Sequence, residues 1–479
     1  MPEYEKLKIL HAVSEVVPFL TTGGMGQVTG ALSSALAEHD KYLDVRVVAP
    51  FYAKFRNKYQ PQVKFLGSAE VNLAWRTLSC GVYELSHEGV TYYFVDNEYY
   101  FGREDAYGYA DDGERFAFFC KAVFAVIEIT RFVPDVIHAH DWQTALVPIY
   151  LKIEFAEKYN NIKTLFTIHN IEYQGQMPDY IMGDVFGISD ENSDIVWHNG
   201  CINLMKGAIV CADKVTTVSP TYANEIQVAG GYGLEPIIRE YSHKLTGIIN
   251  GIDTKAYNPA TDPLLGGNTY TVVDLSGKAA SKAKLQEFFD LQQDPNKMLI
   301  CVVSRLVSHK GIDLITYMFN DMMKMDVQFL LLGTGEHAYE LFFEEKTLTN
   351  PDNVAVSIAF NPEIAGMIYA GADLLLMPSR NEPCGLAQMI ASRYGTVPVV
   401  RRTGGLADTI RDCRHGDGNG FVFDDYTSKA LLDTVTAALD LYKNRPDDWV
   451  NLIKAAMNVD FSWNLSARKY SDLYRELRG

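Results

Sequence analysis

Short, unbroken apolar runs recur along this chain, and between them apolar residues return at every third or fourth position. A short run bounded by turn formers reads as a strand buried on both faces; the three-to-four period reads as a helix with one apolar side. The first half predicts strands near Ile9 to Val13, Val45 to Ala49, Tyr92 to Val95, Val136 to Ala139, Leu165 to Ile168, Val215 to Val218 and Gly247 to Ile249. The second half predicts them near Leu299 to Val303, Phe329 to Leu332, Val354 to Ile358, Leu374 to Met377, Val397 to Val400 and Phe421 to Phe423. Between the halves, Asn258 to Asn268 is rich in turn formers and has no period. Buried strands alternating with amphipathic helices make parallel sheets covered by helices. The expected fold is α/β, with two Rossmann-like, doubly wound domains facing a central cleft. The first spans 1–257 and the second 258–456, with a tail at 457–479.

Ligands of open α/β sheets gather beyond the carboxyl ends of the strands, so the residues after each run carry the candidate chemistry. Pro378 ends the Leu374 to Met377 run, and Glu382 follows on the loop. Gly385-Leu386 and Thr403-Gly404-Gly405 then read as turns that open helices, whose first N–H groups suit sugar hydroxyls or phosphate. The plainer alternative is two ordinary strand-to-helix turns. After the Ile300 to Val303 run come Arg305 and Lys310, fixed cations suited to a diphosphate whose charge grows as it leaves a sugar, or else solvated surface.

In the first half, Thr21-Thr22-Gly23-Gly24-Met25-Gly26 carries a GxG spacing, but it lies well beyond its strand and no acid ends the next strand to hold a ribose. A dinucleotide fingerprint is disfavoured, and a loop approaching a sugar phosphate through Gly23 and Gly24 fits better. His138 and His140 fall on one side of a strand, but no third ligand is evident nearby, so neutral hydrogen bonding is favoured over a metal. Trp142 reads equally as core or as a sugar-stacking surface. His169-Asn170 ends another strand, where a satisfied core histidine is the alternative to a ligand contact.

At 479 residues the chain exceeds what one core comfortably serves, and 47% apolar composition supplies two. A net charge of −17 disfavours nucleic acid or an anionic membrane as partner, while a neutral polymer is not repelled. The seven cysteines are scattered without a CxxC pair, which indicates a reduced compartment. Residues 1–6 lack an apolar leader core, and no apolar run approaches a membrane span. The expected location is cytoplasmic, or organellar if a leader was removed.

Five motifs stand in order along the chain: His138-Ala139-His140-Asp141-Trp142, His169-Asn170, Asn250-Gly251-Ile252-Asp253, Glu382-Pro383-Cys384-Gly385-Leu386 and Thr403-Gly404-Gly405-Leu406-Ala407-Asp408. With them the chain resembles the bacterial glycogen synthase and plant-type starch synthase family, from Lys8-Ile9-Leu10-His11 to Phe461-Ser462-Trp463 and Tyr470 to Tyr474. The resemblance implies the GT-B fold, with the final helix around Arg468 to Leu477 crossing back to the first domain. It also implies retaining transfer of glucose from ADP-glucose to the 4-hydroxyl at the non-reducing end of an α-1,4-glucan or maltooligosaccharide, with neither cofactor nor metal.

By the same resemblance Glu382, His169, Arg305 and Lys310 are catalytic. Donor contacts are implied for Thr21, Gly23, Gly24, Asn250, Phe360, Cys384, Gly385, Leu386, Thr403, Gly404 and Gly405. Tyr107, Asp141, Trp142 and Asn170 are implied on the acceptor or sugar side. His169 would bond a donor-sugar hydroxyl and use its backbone carbonyl against developing positive charge.

The chain departs from the family pattern where Thr21 replaces a lysine, Gln27 an aspartate and Gln143 a histidine; Asn381, His309, Ala387 and Gly366-Met367 also differ. Losing one charge-assisted phosphate contact costs about 1.5–3 kcal/mol, roughly ten- to a hundredfold in rate. Two alternatives therefore stand beside the synthase: a weakly active or regulatory glucan-binding paralogue, and a related two-domain enzyme that epimerises, or transfers from, another nucleotide sugar.

Overall fold

A computed structural model describes residues 6–479; the leader-free start read at Met1 to Glu5 lies outside the described residues. The chain forms two compact units: one runs to Gly251 and takes up Trp463–Gly479, and the other is Ile252–Ser462.

Among the described residues the first unit holds twelve strands: β1 (Leu7–Ala12), β2 (Leu43–Pro50), β3 (Lys64–Leu73), β4 (Arg76–His87), β5 (Val90–Asp96), β6 (Val136–His140), β7 (Lys163–Ile168), β8 (Gln176–Met177), β9 (Trp197–His198), β10 (Cys201–Asn203), β11 (Lys214–Thr217) and β12 (Leu245–Gly247). Nine make one sheet in the order β12-β11-β7-β6-β1-β2-β5-β4-β3, and β8, β10 and β9 make a small antiparallel one. The large sheet is parallel from β12 to β5. Only β4 runs against the others, pairing antiparallel with β5 on one side and β3 on the other. Both the β3–β4 hairpin and the small sheet lie outside the predicted strands.

The second unit holds β13 (Met298–Val303), β14 (Val327–Leu332), β15 (Val354–Ser357), β16 (Leu374–Met377), β17 (Val397–Arg401) and β18 (Phe421–Phe423), all parallel in the order β15-β14-β13-β16-β17-β18. Here every predicted run is a strand. Expected Gly247 to Ile249 is instead β12 at Leu245–Gly247, although the Ile248 amide still donates to Thr217 O at 2.8 Å.

The helix Asn464–Arg478 buries Ala467, Tyr470, Tyr474 and Leu477 on one stripe. That stripe packs into the first unit's core with Leu7 and Ile9 of β1, Val136 of β6 and Leu32 of the helix Gly24–His39. Each such fully buried side chain contributes about 1.5–3 kcal/mol. Ser471 Oγ adds a 2.8 Å hydrogen bond to Asp40, which also pairs with Arg475. Among the described residues no helix is long and apolar enough to cross a membrane.

Candidate active site

In the second unit the strand order reverses between β13 and β16, and an open α/β sheet takes ligands in the crevice beyond such a pair. The loop after β13 carries Arg305 and Lys310; the loop after β16 carries Glu382. Gly311 brings the two loops together: its φ is +75°, and a Cβ there would stand 2.1 Å from Pro378 O, so any side chain would force them apart. Arg380 N also donates to His309 O at 2.8 Å.

Across this junction Lys310 Nζ lies 2.8 Å from Oε1 and 2.7 Å from Oε2 of Glu382. Ser379 Oγ donates to the same Oε2 at 2.9 Å. Glu382 is only 5% exposed, and a carboxylate so far from water persists only with partners of this kind. The backbone is fixed as well. Gly405 N donates to Glu382 O at 3.1 Å, and Gly404, at φ +43°, would place a Cβ 2.0 Å from that oxygen. Arg401 Nε donates to Ser379 O at 2.8 Å, and its guanidinium also reaches Arg380 O.

Arg305 is exposed, and its guanidinium has no partner among the described residues. Phe360 is 81% exposed after β15 and so is not part of the core. Cys384 is buried, and its carbonyl accepts from Gln388 Nε2 at 3.0 Å. Leu386 and Thr403 stand at the N-caps of the helices Ala387–Arg393 and Gly404–Thr409, as their turns predict.

The first unit reverses strand order between β1 and β6. After β1, Glu15 is 3% exposed, and burial raises its pKa. Its Oε2 accepts from Thr22 N at 2.6 Å and Thr22 Oγ1 at 2.7 Å, and its Oε1 from Gly26 N at 3.2 Å. This carboxylate, absent from the sequence-based candidates, holds the glycine loop in shape. Gly23 and Gly24 are exposed, and a Cβ at either would meet nothing within 4 Å; their backbone is open to a ligand. Thr21 Oγ1 donates to Gly23 O at 2.8 Å.

After β6, Asp141 holds φ +56°, ψ −177°, a conformation costing a non-glycine residue about 1–3 kcal/mol. It places Oδ1 2.7 Å from His169 N, and burial lifts its pKa to about 7. Trp142 is half-buried, edge-on to Phe116 with centroids 5.4 Å apart. Asn170 Oδ1 accepts from Glu172 N at 3.0 Å within its own turn. Tyr107 Oη pairs with Ser14 Oγ at 2.8 Å. Asn250 is 5% exposed, and its Oδ1 has no partner among the described residues, an arrangement rare for a buried acceptor. Gln143 Oε1 is likewise unpartnered.

One expectation is corrected. His138 and His140 do have a third imidazole nearby: β1 lies beside β6 with His11 opposite His138, and nitrogen atoms of the three lie within 4.8 Å of one another. The residues are too distant in sequence for spacing to show this. His140 Nδ1 in turn meets His169 Nε2 at 3.0 Å.

Known proteins share the sequence and fold of this chain. Residues 8–240 match the starch synthase catalytic domain family, and residues 283–455 match glycosyl transferases group 1. Glycogen synthases of Anoxybacillus flavithermus and Geobacillus stearothermophilus are each 44% identical over 478 residues, covering 98% of this chain and 98% of theirs. The solved catalytic domain of starch synthase IV from Arabidopsis thaliana, bound to ADP and acarbose, superimposes with TM-score 0.92 at 32% identity, covering 99% of each chain. A sucrose-phosphate synthase from Thermosynechococcus elongatus, at 16% identity and TM-score 0.62, shares the fold alone. The match extends through both units, and this chain belongs to the glycogen and starch synthase family of glucosyltransferases.

Proposed function

We propose that the chain transfers glucose from ADP-glucose to the 4-hydroxyl at the non-reducing end of an α-1,4-glucan, with retention of configuration. The observation that carries the reading is the Lys310–Glu382 pair at the β13/β16 switch point. The ADP and acarbose held by the starch synthase IV domain support a nucleotide and an oligosaccharide as ligands.

Glu382 binds hydroxyls of the glucosyl ring and fixes its orientation. As the bond from C1 to the β-phosphate oxygen breaks, its electron pair goes to that oxygen. Arg305, with no partner among the described residues, and the third N–H of Lys310 take up the new charge. The acceptor 4-hydroxyl forms its bond to C1 on the same face and yields its proton to the departing phosphate. His169 holds a donor-sugar hydroxyl and turns its backbone carbonyl toward positive charge at C1; the unpaired Asn250 Oδ1 accepts from another hydroxyl. Gly23 and Gly24 amides approach phosphate, Phe360 packs on the adenine, and Cys384 to Leu386 with Thr403 to Gly405 line the donor. Tyr107, Asp141, Trp142 and Asn170 serve the sugar side. The seven free cysteines support a reducing, cytoplasmic compartment.

A weakly active regulatory paralogue is the second reading, favoured by Thr21, whose neutral side chain bonds its own loop. Incubation with ADP-glucose and maltotetraose separates the readings. Transfer gives one ADP for each glucosyl residue added to the α-1,4-linked chains. Isomerised donor without an acceptor requirement, or glucan binding with no ADP release, would overturn it.

A further inference from the structure

His169 ends an unbroken hydrogen-bonded line through the first unit's core. Its Nε2 meets His140 Nδ1 at 3.0 Å, and His140 Nε2 meets His11 Nδ1 at 3.1 Å. His11 Nε2 lies 3.3 Å from Tyr474 Oη, which is 2.8 Å from His138 Nδ1. His138 Nε2 meets Thr167 Oγ1 at 2.6 Å, and Thr167 Oγ1 meets Thr216 Oγ1 at 2.6 Å. His11, His138, His140, Thr167, Thr216 and Tyr474 are all 0% exposed, so bulk water does not reach these six groups.

Burial drives the pKa of all four imidazoles down, so each is neutral and carries one proton on two nitrogens. A neutral imidazole that donates from one nitrogen accepts at the other, which makes the direction of every bond depend on its neighbours. Tyr474 or Thr167 could accept from both sides, but its own hydroxyl hydrogen would then lack an acceptor, so two continuous directions remain. If His169 donates into the line, the protons point inward and Thr216 must give its hydroxyl hydrogen to an acceptor beyond Thr167; none is present among the described residues. If Thr216 donates to Thr167, every proton has an acceptor. Thr167 then donates to His138 Nε2, His138 Nδ1–H to Tyr474, Tyr474 O–H to His11 Nε2, His11 Nδ1–H to His140 Nε2, and His140 Nδ1–H to His169 Nε2. The line ends with His169 Nδ1–H, which has no protein partner among the described residues.

We propose that Tyr474, on the final helix, is a positioning residue for His169: acting through His11 and His140, it fixes His169 as the Nδ1–H tautomer, so that the imidazole donates to an oxygen of the glucosyl donor. This rests on the reading of His169 as a donor-sugar contact. It gives the docking of the helix Asn464–Arg478 a chemical consequence beyond packing, because its phenol supplies the central link. A metal on His11, His138 and His140 is the competing use of the same cluster, and it would have to break bonds that now satisfy all six ring nitrogens.

Imidazole nitrogen shifts of the ligand-free, histidine-labelled full chain test the proposal without reference to activity. The expected result is that His11, His138, His140 and His169 all carry the proton on Nδ1. In Tyr474→Phe, His11 and His169 should lose that fixed state, and kcat should fall about tenfold, the size of one buried hydrogen bond, with KM for glucan unchanged. His11→Gln, whose amide both accepts and donates, should restore more kcat than His11→Phe. Proton on Nε2 of His11, His140 or His169 in the wild type, one equivalent of zinc bound to the purified chain, or an unchanged His169 shift in Tyr474→Phe would each overturn it. If the shifts behave as expected but His169→Ala retains full kcat, the relay stands and the reading of His169 fails instead.

Discussion

Lys310 Nζ stands within 2.8 Å of both carboxylate oxygens of Glu382, joining the loops that leave β13 and β16. The pair therefore belongs to the stability of the unit as well as to its chemistry. Removing the lysine strands a buried carboxylate, a loss of about 3–5 kcal/mol, whereas replacing both partners with apolar residues of similar size leaves no buried charge and only the Ser379 hydroxyl without its acceptor. We expect Lys310→Ala to unfold at clearly lower urea, and Lys310→Met with Glu382→Leu to regain most of that stability while remaining inactive. Urea titration alongside ADP release distinguishes the two effects; a double variant that regains activity would remove the pair from the chemistry.

Arg305 offers a cleaner separation because nothing among the described residues holds its guanidinium. Arg305→Ala should leave the melting temperature unchanged and weaken ADP binding by about 1.5–3 kcal/mol, the value of one hydrogen bond to a charged group. Calorimetric titration with ADP, and separately with maltose, reads this directly. Equal loss for both ligands would place Arg305 outside the diphosphate site.

At Gly311 the constraint is steric. Gly311→Ala must carry φ +75° and a Cβ 2.1 Å from Pro378 O, so we expect a stability loss above about 1 kcal/mol and reduced transfer, because the loops bearing Lys310 and Glu382 separate. Thermal melts and initial rates check both parts.

Stability should fall in acid through the first unit. His11, with its pKa lowered to about 3, is neutral when folded but takes a proton near pH 6.5 when unfolded; His138 and His140 are shifted in the same direction. The unfolded chain thus binds more protons below pH 6.5, and each histidine removes up to about 1.4 kcal/mol per pH unit there. Asp141, raised to about 7, and Glu15, also raised, bind protons preferentially in the folded state and oppose the trend. His169, also lowered to about 3, adds a fourth, and four histidines against two acids leave a net loss as pH drops from 6.5 toward 4. Melts across that range should show it, and Asp141→Asn should steepen the slope.

The parallel strands were legible because a strand buried on both faces is an apolar run, as Leu374–Met377 shows. The β3–β4 hairpin was not, since β3 lies mostly at the surface and its side chains mix polar and apolar positions. Glu382, Arg305 and Lys310 were legible as residues at strand ends, but their pairing depends on β13 and β16 lying side by side. The same holds for His11 and His140, 129 positions apart, and for Tyr474, which joins them only through helix docking. Glu15 left no signal because its role is defined by the loop that folds around it.

The most direct measurement is acceptor-dependent ADP release from ADP-glucose by the wild type and by Glu382→Ala, each first shown to be folded by its melting transition. We expect release with chain elongation in the wild type and near-complete loss in the variant. Undiminished release by folded Glu382→Ala would contradict the assignment of the β13/β16 switch point as the reacting centre.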